Sequence, residues 1–246
     1  MTITSGRDGA VAEILLNRPD KLNAMNLDWV RELADVVSEL AVDPPRVVLI
    51  RGAGRAFCAG LDLDMMGEHG MPPEFFSLQE QAFTTLERLP AIVVAQIHGY
   101  CLGGGLQLAL ACDIRIVSED ATLGLPAALE GLPPGMAAWR LPRFVGTGRA
   151  LRLALSGKPV DAAEAFALGL ADHILPASGF AIAAREIVSH YAAVPHRAAL
   201  GIKEQVRTAF DLPFDSAYDR AREIIANCLR EPDVELAKQA WASRRK

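Results

Sequence analysis

The chain has 246 residues, of which 51% are hydrophobic, and its formal net charge at pH 7 is -5. A chain of this length and composition can bury a substantial core, either as one large domain or as one domain with an appendage. The acidic balance leaves no basic surplus for coating nucleic acid, so we expect no nucleic-acid partner.

The N-terminal residues 1–8 lack the basic-then-apolar pattern of a signal peptide. The four cysteines show neither C-x-x-C pairing nor the spacing of zinc ligands. This spacing indicates that the cysteines are buried, reduced thiols of a cytoplasmic protein and that they form no metal site. The apolar stretch 91–112 is about long enough to cross a membrane, but its glutamines and its three glycines at 103–105 favour a strand, a turn and a helix. We therefore expect no membrane partner.

The first predicted elements form a strand, helix, strand unit. Residues 10–16 have the pattern of a strand, which the asparagine and proline of 17–19 end. Asn26 is a helix cap, because apolar residues recur at helical spacing from Trp29 to Leu40. The apolar run 47–50 then predicts a short buried strand.

The same alternation continues, with helices at 75–89 and 104–111 and strands at 92–97 and 114–117. Alternating strands and helices indicate a parallel sheet with crossover helices. After Arg149 helical periodicity dominates, in segments 149–156, 161–168, 180–191, 196–210, 214–229 and 233–244. The pattern predicts an α/β core over residues 1–190 and a C-terminal helical region over residues 191–246.

Two glycine-containing turns each follow a predicted strand, at 55–63 and at 98–105. Neither matches the glycine patterns of nucleotide-binding folds, and the chain has no G-x-S-x-G elbow of a serine hydrolase. Glycine at the start of a helix lets a ligand approach bare N–H groups, where the helix dipole favours negative charge. A substrate oxyanion would fit there; the alternative is that these glycines only permit tight turns and close packing.

Taken together, the turns resemble a known family. The blocks Phe57-Cys-Ala-Gly-Leu-Asp-Leu63, Gly99-Tyr-Cys-Leu-Gly-Gly-Gly-Leu-Gln-Leu-Ala109 and Cys112-Asp-Ile-Arg115 resemble the crotonase superfamily, the enoyl-CoA hydratases and isomerases. Further blocks follow in order, at 17–24, 124–126, 140–146, 157–165 and 169–172. The resemblance thus covers most of the chain.

The resemblance implies an α/β spiral of ββα repeats, a C-terminal helical region that takes part in trimerisation, and a homotrimer or homohexamer. It also implies a pocket for an acyl-CoA ester, with coenzyme A as part of the substrate and no covalently bound cofactor. In the family, two backbone N–H groups hold the thioester oxygen, and they correspond here to Leu61 and Gly104. Developing negative charge on that oxygen is what such preorganised donors stabilise.

The resemblance further implies contacts to the coenzyme. Backbone that binds adenine in the family corresponds to Ala59 and, more loosely, to Leu22 and Ala24. Lys21, together with Arg18 and Arg55, lies beside these blocks and is a candidate for binding phosphate. Ordinary solvated surface charge is the alternative for all three basic residues.

The sequence departs from the family's hydratases at two positions. Those enzymes use two glutamates, and the corresponding residues here are Gln107 and Ala127. Hydration needs one group that takes a proton from water and one that gives a proton to the α-carbon, and neither residue titrates usefully. Gln107 can still hold a water through its amide. The pattern therefore disfavours the two-glutamate reaction.

Two residues are candidates for the missing acid. Glu130 lies one helical turn beyond Ala127, and the apolar residues around it in sequence predict the apolar environment that suits a general base. Alternatively, Glu130 binds a nearby backbone N–H or faces a neighbouring subunit. His69 would titrate near neutral pH, although a solvated histidine in a glycine- and proline-rich loop is the alternative.

Three functions follow from these residues. The first is an enzyme that stabilises a thioester enolate without the two-glutamate route: an isomerase, a one-acid lyase, or a C–C or thioester hydrolase. The second is a non-catalytic acyl-CoA binding protein, because loss of both acids with retention of both turns fits that role. The third is a structural subunit in which the turns are only packing devices.

Overall fold

The computed structural model describes residues 1–66 and 71–243, which form a mixed α/β fold with two sheets. The strands are β1 (Ile3–Asp8), β2 (Val11–Leu16), β3 (Val47–Gly52), β4 (Ala56–Cys58), β5 (Ile92–Ile97), β6 (Tyr100–Leu102), β7 (Ile114–Ser118), β8 (Thr122–Gly124), β9 (Val160–Asp161) and β10 (His173–Leu175). The α-helices are α1 (Leu27–Val42), α2 (Phe75–Arg88), α3 (Gly104–Ala111), α4 (Ala137–Val145), α5 (Thr147–Ser156), α6 (Ala162–Leu168), α7 (Phe180–Ala193), α8 (His196–Thr208), α9 (Phe214–Cys228) and α10 (Pro232–Ser243). Short 3-10 helices span Pro19–Lys21, Leu63–Met66 and Pro126–Glu130.

The larger sheet has the strand order β1-β2-β3-β5-β7-β10. Strand β1 pairs antiparallel with β2, and the other neighbours are parallel. Strands β3 and β5 are apolar almost throughout and nearly every residue in them is buried, as expected for parallel strands covered on both faces. This sheet therefore forms the rigid support of the molecule's first half.

The smaller sheet has the strand order β4-β6-β8-β9, and its first three strands each follow a strand of the larger sheet along the chain. The chain repeatedly places one strand in the larger sheet and the next in the smaller sheet, and then forms a helix: β3-β4-α2, then β5-β6-α3. The α/β fold of ββα repeats with a C-terminal helical region is thereby confirmed. Because β4, β6 and β8 run parallel, the turns that follow them lie at one edge.

The predicted elements of the larger sheet are correct, and Asn26 caps α1 by accepting a hydrogen bond from the Trp29 N–H at 3.0 Å. The expectation that strands nearly end after residue 149 misses β9 and β10. The sequence prediction also lacks β1 of the larger sheet, the strands β4, β6 and β8 of the smaller sheet, and helix α4. Strands of two or three residues are too short to carry an alternating pattern. Helix α4 carries Pro142 in its interior, a residue that argues against a helix when the sequence is considered alone.

By internal packing the chain divides into two compact units, Met1–Ser189 and His190–Lys246. The first contains both sheets, and the second contains α8, α9 and α10. Over the two described ranges, none of the helices combines the length and apolar character needed to cross a bilayer.

Candidate active site

A pocket of about 120 Å³ lies where the turns after β4 and β6 meet the start of α3. Its lining residues come from the two glycine turns, from α2 and α3, and from the segment after β8. They are Ala59, Gly60, Leu61, Leu63, Gln79, Gly103, Gly104, Gln107, Pro126, Ala127, Glu130, Leu132, Pro133 and Pro134. Most of these residues are apolar or glycine, so the pocket is largely apolar, with a few polar groups.

The two turns touch at Gly60, which has a φ of 102°. A Cβ added at Gly60 would lie 3.0 Å from the Leu102 carbonyl oxygen and 3.5 Å from the Gly104 nitrogen. Glycine is therefore needed for the left-handed backbone and for the close approach. This contact brings the backbone of Leu61 and of Gly104 to the same pocket.

The backbone N–H groups of Leu61 and Gly104 donate to no acceptor within residues 1–66 and 71–243. Gly104 is the first residue of α3, so its N–H lies at the positive end of the helix dipole. Gly105 lets α3 pack directly on β4, because an added Cβ would lie 2.2 Å from the Cys58 carbonyl oxygen. Two unused donors thus line one small pocket, as an oxyanion site requires.

Gln107 lies four residues into α3, is 7% exposed and lines the pocket. Its side-chain amide has no hydrogen-bond partner in the part of the chain that the structure describes. An amide can both donate and accept, so this buried group is available to a ligand or a water.

Ala127 and Glu130 both belong to the 3-10 helix Pro126–Glu130, and both line the pocket. The predicted helical turn is confirmed, since residues three apart lie on one face of a 3-10 helix. Glu130 is exposed, as are Leu129 (69%) and Met136 (40%), whereas Leu125 is buried and Leu132 lines the pocket. The apolar neighbours of Glu130 in sequence are thus divided between the surface and the interior, and its apolar environment stays a prediction.

Gln79 is a lining residue that the sequence did not reveal. It is 4% exposed on α2, and its Nε2 lies 3.2 Å from the Met25 sulfur. A polar residue among the buried apolar residues of an amphipathic helix is the only available signal, and it does not say which pocket the residue faces.

The loop between β2 and α1 lies beside the first glycine turn. The Ala59 N–H donates to the Leu22 carbonyl at 3.0 Å, and the Met25 N–H donates to the Gly60 carbonyl at 2.8 Å. Leu22 and Ala24 are therefore brought next to Ala59 and Leu61, although only the latter two line the pocket.

Asn23, also missed from the sequence, fixes this loop. It is fully buried with a φ of 57°, a conformation that asparagine tolerates better than most residues. Its Oδ1 accepts from the Arg18 N–H at 2.8 Å, and its Nδ2 donates to the carbonyls of Ala53 at 2.9 Å and Ala56 at 2.8 Å. One side chain thus ties the loop to the strand that leads into the glycine turn.

The three basic candidates have different surroundings. Arg18 forms an ion pair with Asp62 at 2.8 Å, with both side chains mostly buried, so it has a structural partner. Lys21 pairs with Asp64 at 2.7 Å at the surface, and the hydrogen bond and charge of Asp64 raise the pKa of Lys21 while Lys21 lowers the pKa of Asp64. Arg55 is exposed and has no ion-pair partner among the described residues. His69 lies outside the described residues.

Comparison with known proteins gives one consistent result. The family model described as enoyl-CoA hydratase/isomerase matches residues 6–246. A probable enoyl-CoA hydratase of Mycobacterium bovis is 32% identical over 99% of this chain and 96% of its own length.

Solved structures agree with this match. An enoyl-CoA hydratase of Bacillus anthracis superposes with a TM-score of 0.92 at 31% identity, covering 99% of this chain and 97% of that one. A structure from Thermobifida fusca, described as a putative enoyl-CoA hydratase in complex with CoA, superposes with a TM-score of 0.84 at 33% identity, covering 96% and 95% of the two chains. The chain belongs to the enoyl-CoA hydratase/isomerase family.

Proposed function

We propose that this chain binds an acyl-CoA thioester and stabilises the enolate of its acyl group between the N–H groups of Leu61 and Gly104. The observation that carries the proposal is that these two donors have no acceptor in the described part of the chain and line the same pocket. Loss of an α-proton moves negative charge onto the thioester oxygen. Each preorganised donor is worth about 3 kcal/mol to such a charge.

We place the reaction among the isomerases or one-acid lyases rather than the two-glutamate hydratases. Gln107 and Ala127 stand where the family's hydratases carry their glutamates, and neither can exchange a proton at neutral pH. Glu130 is the one carboxylate among the described lining residues. A single carboxylate can take a proton from one carbon of an enoyl group and return it to another, which moves the double bond.

The coenzyme would lie along the loop that packs on the first glycine turn. Backbone at Leu22, Ala24 and Ala59 would meet the adenine, and Lys21 and the unpaired Arg55 would meet phosphates. Residues 1–190 would then be the coenzyme-binding core of a cytoplasmic protein. The CoA complex of the Thermobifida fusca relative, at 33% identity, supports this proposal.

A second function, a non-catalytic acyl-CoA binding protein, is favoured by one observation. Glu130, the one carboxylate among the described lining residues, is exposed to water. A pocket with two oxyanion donors and no active acid would bind thioesters without converting them.

One experiment decides between these functions. The protein is incubated with a panel of acyl- and enoyl-CoA esters in heavy water, and mass spectrometry follows new products and deuterium at the α-carbon. Deuterium uptake supports the enolate, and a shifted double bond supports the isomerase. Binding without uptake supports the binding protein, and no binding of any CoA ester rejects both.

Glu130→Gln tests the assigned base. We expect it to slow exchange or isomerisation by about 100-fold or more, the typical contribution of a positioned acid–base group. Glu164→Gln is the matched control, because Glu164 is also exposed but pairs with Arg152 away from the pocket. Unchanged turnover in Glu130→Gln would show that Glu130 is not the base.

A further inference from the structure

A second cleft, of about 700 Å³, opens at the C-terminal ends of the strands of the larger sheet. The ends of β3, β5 and β7 form one side, and the first turn of α7 forms the other. It has no lining residue in common with the candidate active site. Its volume is within the usual range for small-molecule sites.

Gln96 supplies the first sign of a ligand. It lies on β5 between Arg51 of β3 and Ile116 of β7, lines the cleft, and is 5% exposed. Its side-chain amide makes no hydrogen bond within residues 1–66 and 71–243. The amide is not among the fully buried polar atoms that lack a partner, so it reaches the open space of the cleft, where a bound polar ligand would hydrogen-bond to it.

Positive charge adjoins this amide. Arg51 and Arg185 share the single carboxylate of Glu13, at 2.6 Å and 2.8 Å. Two guanidinium groups on one carboxylate leave a local excess of positive charge and several unused N–H groups, while Asp120 carries the one carboxylate among the lining residues. Both arginines line the cleft.

The first turn of α7, a helix of 14 residues, adds a backbone donor. The N–H of Ala181 has no acceptor in the described part of the chain, and Ala181 lines the cleft. Arg185 is one turn further along α7, and side chains on a helix lean toward its N-terminus. The guanidinium group and the helix dipole therefore act on the same region.

Acceptors also line the cleft. The His98 Nε2 lies 2.9 Å from the Gly54 carbonyl oxygen, so Nε2 donates and Nδ1 is left as an acceptor. Asp120 accepts a hydrogen bond from the Ser118 hydroxyl and keeps further lone pairs. The cleft thus offers both cationic donors and hydroxyl acceptors.

We propose that this cleft is a second ligand site, which takes a small hydroxylated oxyanion such as a phosphorylated or carboxylated polyol. Arg185, the Gln96 amide and the Ala181 N–H hold the oxyanion, and His98 and Asp120 accept from the hydroxyl groups. The site does not depend on the reaction at Leu61 and Gly104.

Calorimetry with glycerol 3-phosphate and with glycerate tests the proposal and separates the phosphate source from the carboxylate source. We expect one of the two ligands to bind at one site per chain. Its affinity should be the same with and without saturating coenzyme A. Gln96→Leu and Arg185→Gln should each weaken binding at least tenfold. Arg7→Gln is the matched control, because Arg7 is a half-exposed arginine that pairs with Asp43 outside the cleft. Failure of both ligands to bind, competition by coenzyme A, or wild-type affinity in both variants overturns the proposal.

Thermal unfolding gives a second readout. Without ligand, Gln96→Leu should melt close to the wild-type temperature, because the Gln96 amide makes no hydrogen bond within the described residues that the substitution would remove. A lower melting temperature would show a structural role for Gln96 and would overturn its assignment to a ligand. Arg185 is 60% exposed at its side chain, so Arg185→Gln tests binding in a folded protein in either case.

Discussion

Gln107 carries an amide where a glutamate would carry a carboxyl group, and on our proposal this difference limits the chemistry of the pocket. An amide keeps the length and the hydrogen-bonding capacity of the acid but has no proton to exchange near pH 7. Gln107 is 7% exposed and lines the pocket of about 120 Å³, so its amide faces the space that a ligand would occupy. The residue can therefore position a substrate or a water, and another group must move the proton.

The double variant Gln107→Glu with Ala127→Glu should gain the ability to hydrate a short enoyl-CoA. Both residues line the pocket that holds the Leu61 and Gly104 donors, so the new carboxylates would flank the bound acyl group. Absorbance of the conjugated thioester gives the rate, which we expect to be near background in the wild type and at least 100-fold higher in the double variant. Gln107→Leu with Ala127→Leu is the control that adds no acid. A wild-type protein that already hydrates as fast as the double variant would contradict this prediction.

Cys58 should make the protein's stability fall at alkaline pH. Burial raises the pKa of this thiol from 9.0 to about 12. Above pH 9 the thiol loses its proton in the unfolded chain but keeps it in the native protein. The contribution of Cys58 to the free energy of unfolding is therefore complete below pH 9 and is lost between pH 9 and 12. For this group the free energy of unfolding should fall by about 1.4 kcal/mol per pH unit in that window.

Urea unfolding at several pH values between 8 and 11 measures this slope. Cys58→Ala should have a shallower decline than the wild type, and the partly exposed Cys228 provides the control substitution, Cys228→Ala. Equal slopes in wild type and Cys58→Ala would refute the assignment.

Among individual residues, those predicted best from the sequence are the glycines whose backbone conformation the candidate site requires. The glycine turns are visible in the sequence because only glycine permits the contact between Gly60 and the residues around Gly104. Gln79 and Asn23 were not predicted, because their roles depend on neighbours more than 25 residues away, which a local pattern does not contain. The exposure of Glu130 was not predictable for the same reason.

Among the elements, α4 is held to α2 by a buried ion pair. Arg140 is 2% exposed at its side chain, and it donates to Glu80 and to Glu87, the latter at 2.8 Å. Burial opposes its charge, yet the hydrogen bonds that it donates to the two glutamates raise the pKa of Arg140 above its usual value. The arginine therefore stays charged and ties together two helices, one of which carries Gln79.

Arg140→Gln should lower the free energy of unfolding by about 3–5 kcal/mol, because it leaves two carboxylates in a largely buried place without their cation. Arg152→Gln is the matched control, since the Arg152–Glu164 pair is about half exposed and should be worth less than about 1 kcal/mol. Chemical denaturation of the two variants measures both values. Similar losses in both would show that burial does not distinguish these pairs.

The elements differ in how well local sequence determines them. Strands β3 and β5 are predicted because each begins with a continuous apolar run of four residues. The strands of the smaller sheet have two or three residues each, and they exist because the turns between them bring them together. The pairing of these short strands depends on tertiary contacts, which a local sequence pattern does not contain.

In the whole molecule, the unit His190–Lys246 exposes several large apolar side chains within a short length of chain. Helices α8 and α9 expose Val206 (66%) and Phe214 (80%), and Phe210 between the two helices is 75% exposed. Phe214 also stacks on Tyr218, at 6.2 Å between ring centroids. Several exposed large apolar side chains on one unit are typical of a contact between protein chains.

We expect this surface to join copies of the chain into a trimer or a hexamer. Light scattering after size-exclusion chromatography should give the mass of three or six chains, and Phe210→Glu with Phe214→Glu should reduce it, because two carboxylates buried in an apolar contact are strongly unfavourable. Val42→Glu is the control, since Val42 is 88% exposed at the end of α1 and should leave the mass unchanged. A wild-type protein that has the mass of a single chain throughout the micromolar concentration range would contradict the predicted trimer or hexamer. If the glutamate variant instead kept the wild-type mass, the contact would lie on another surface of the molecule.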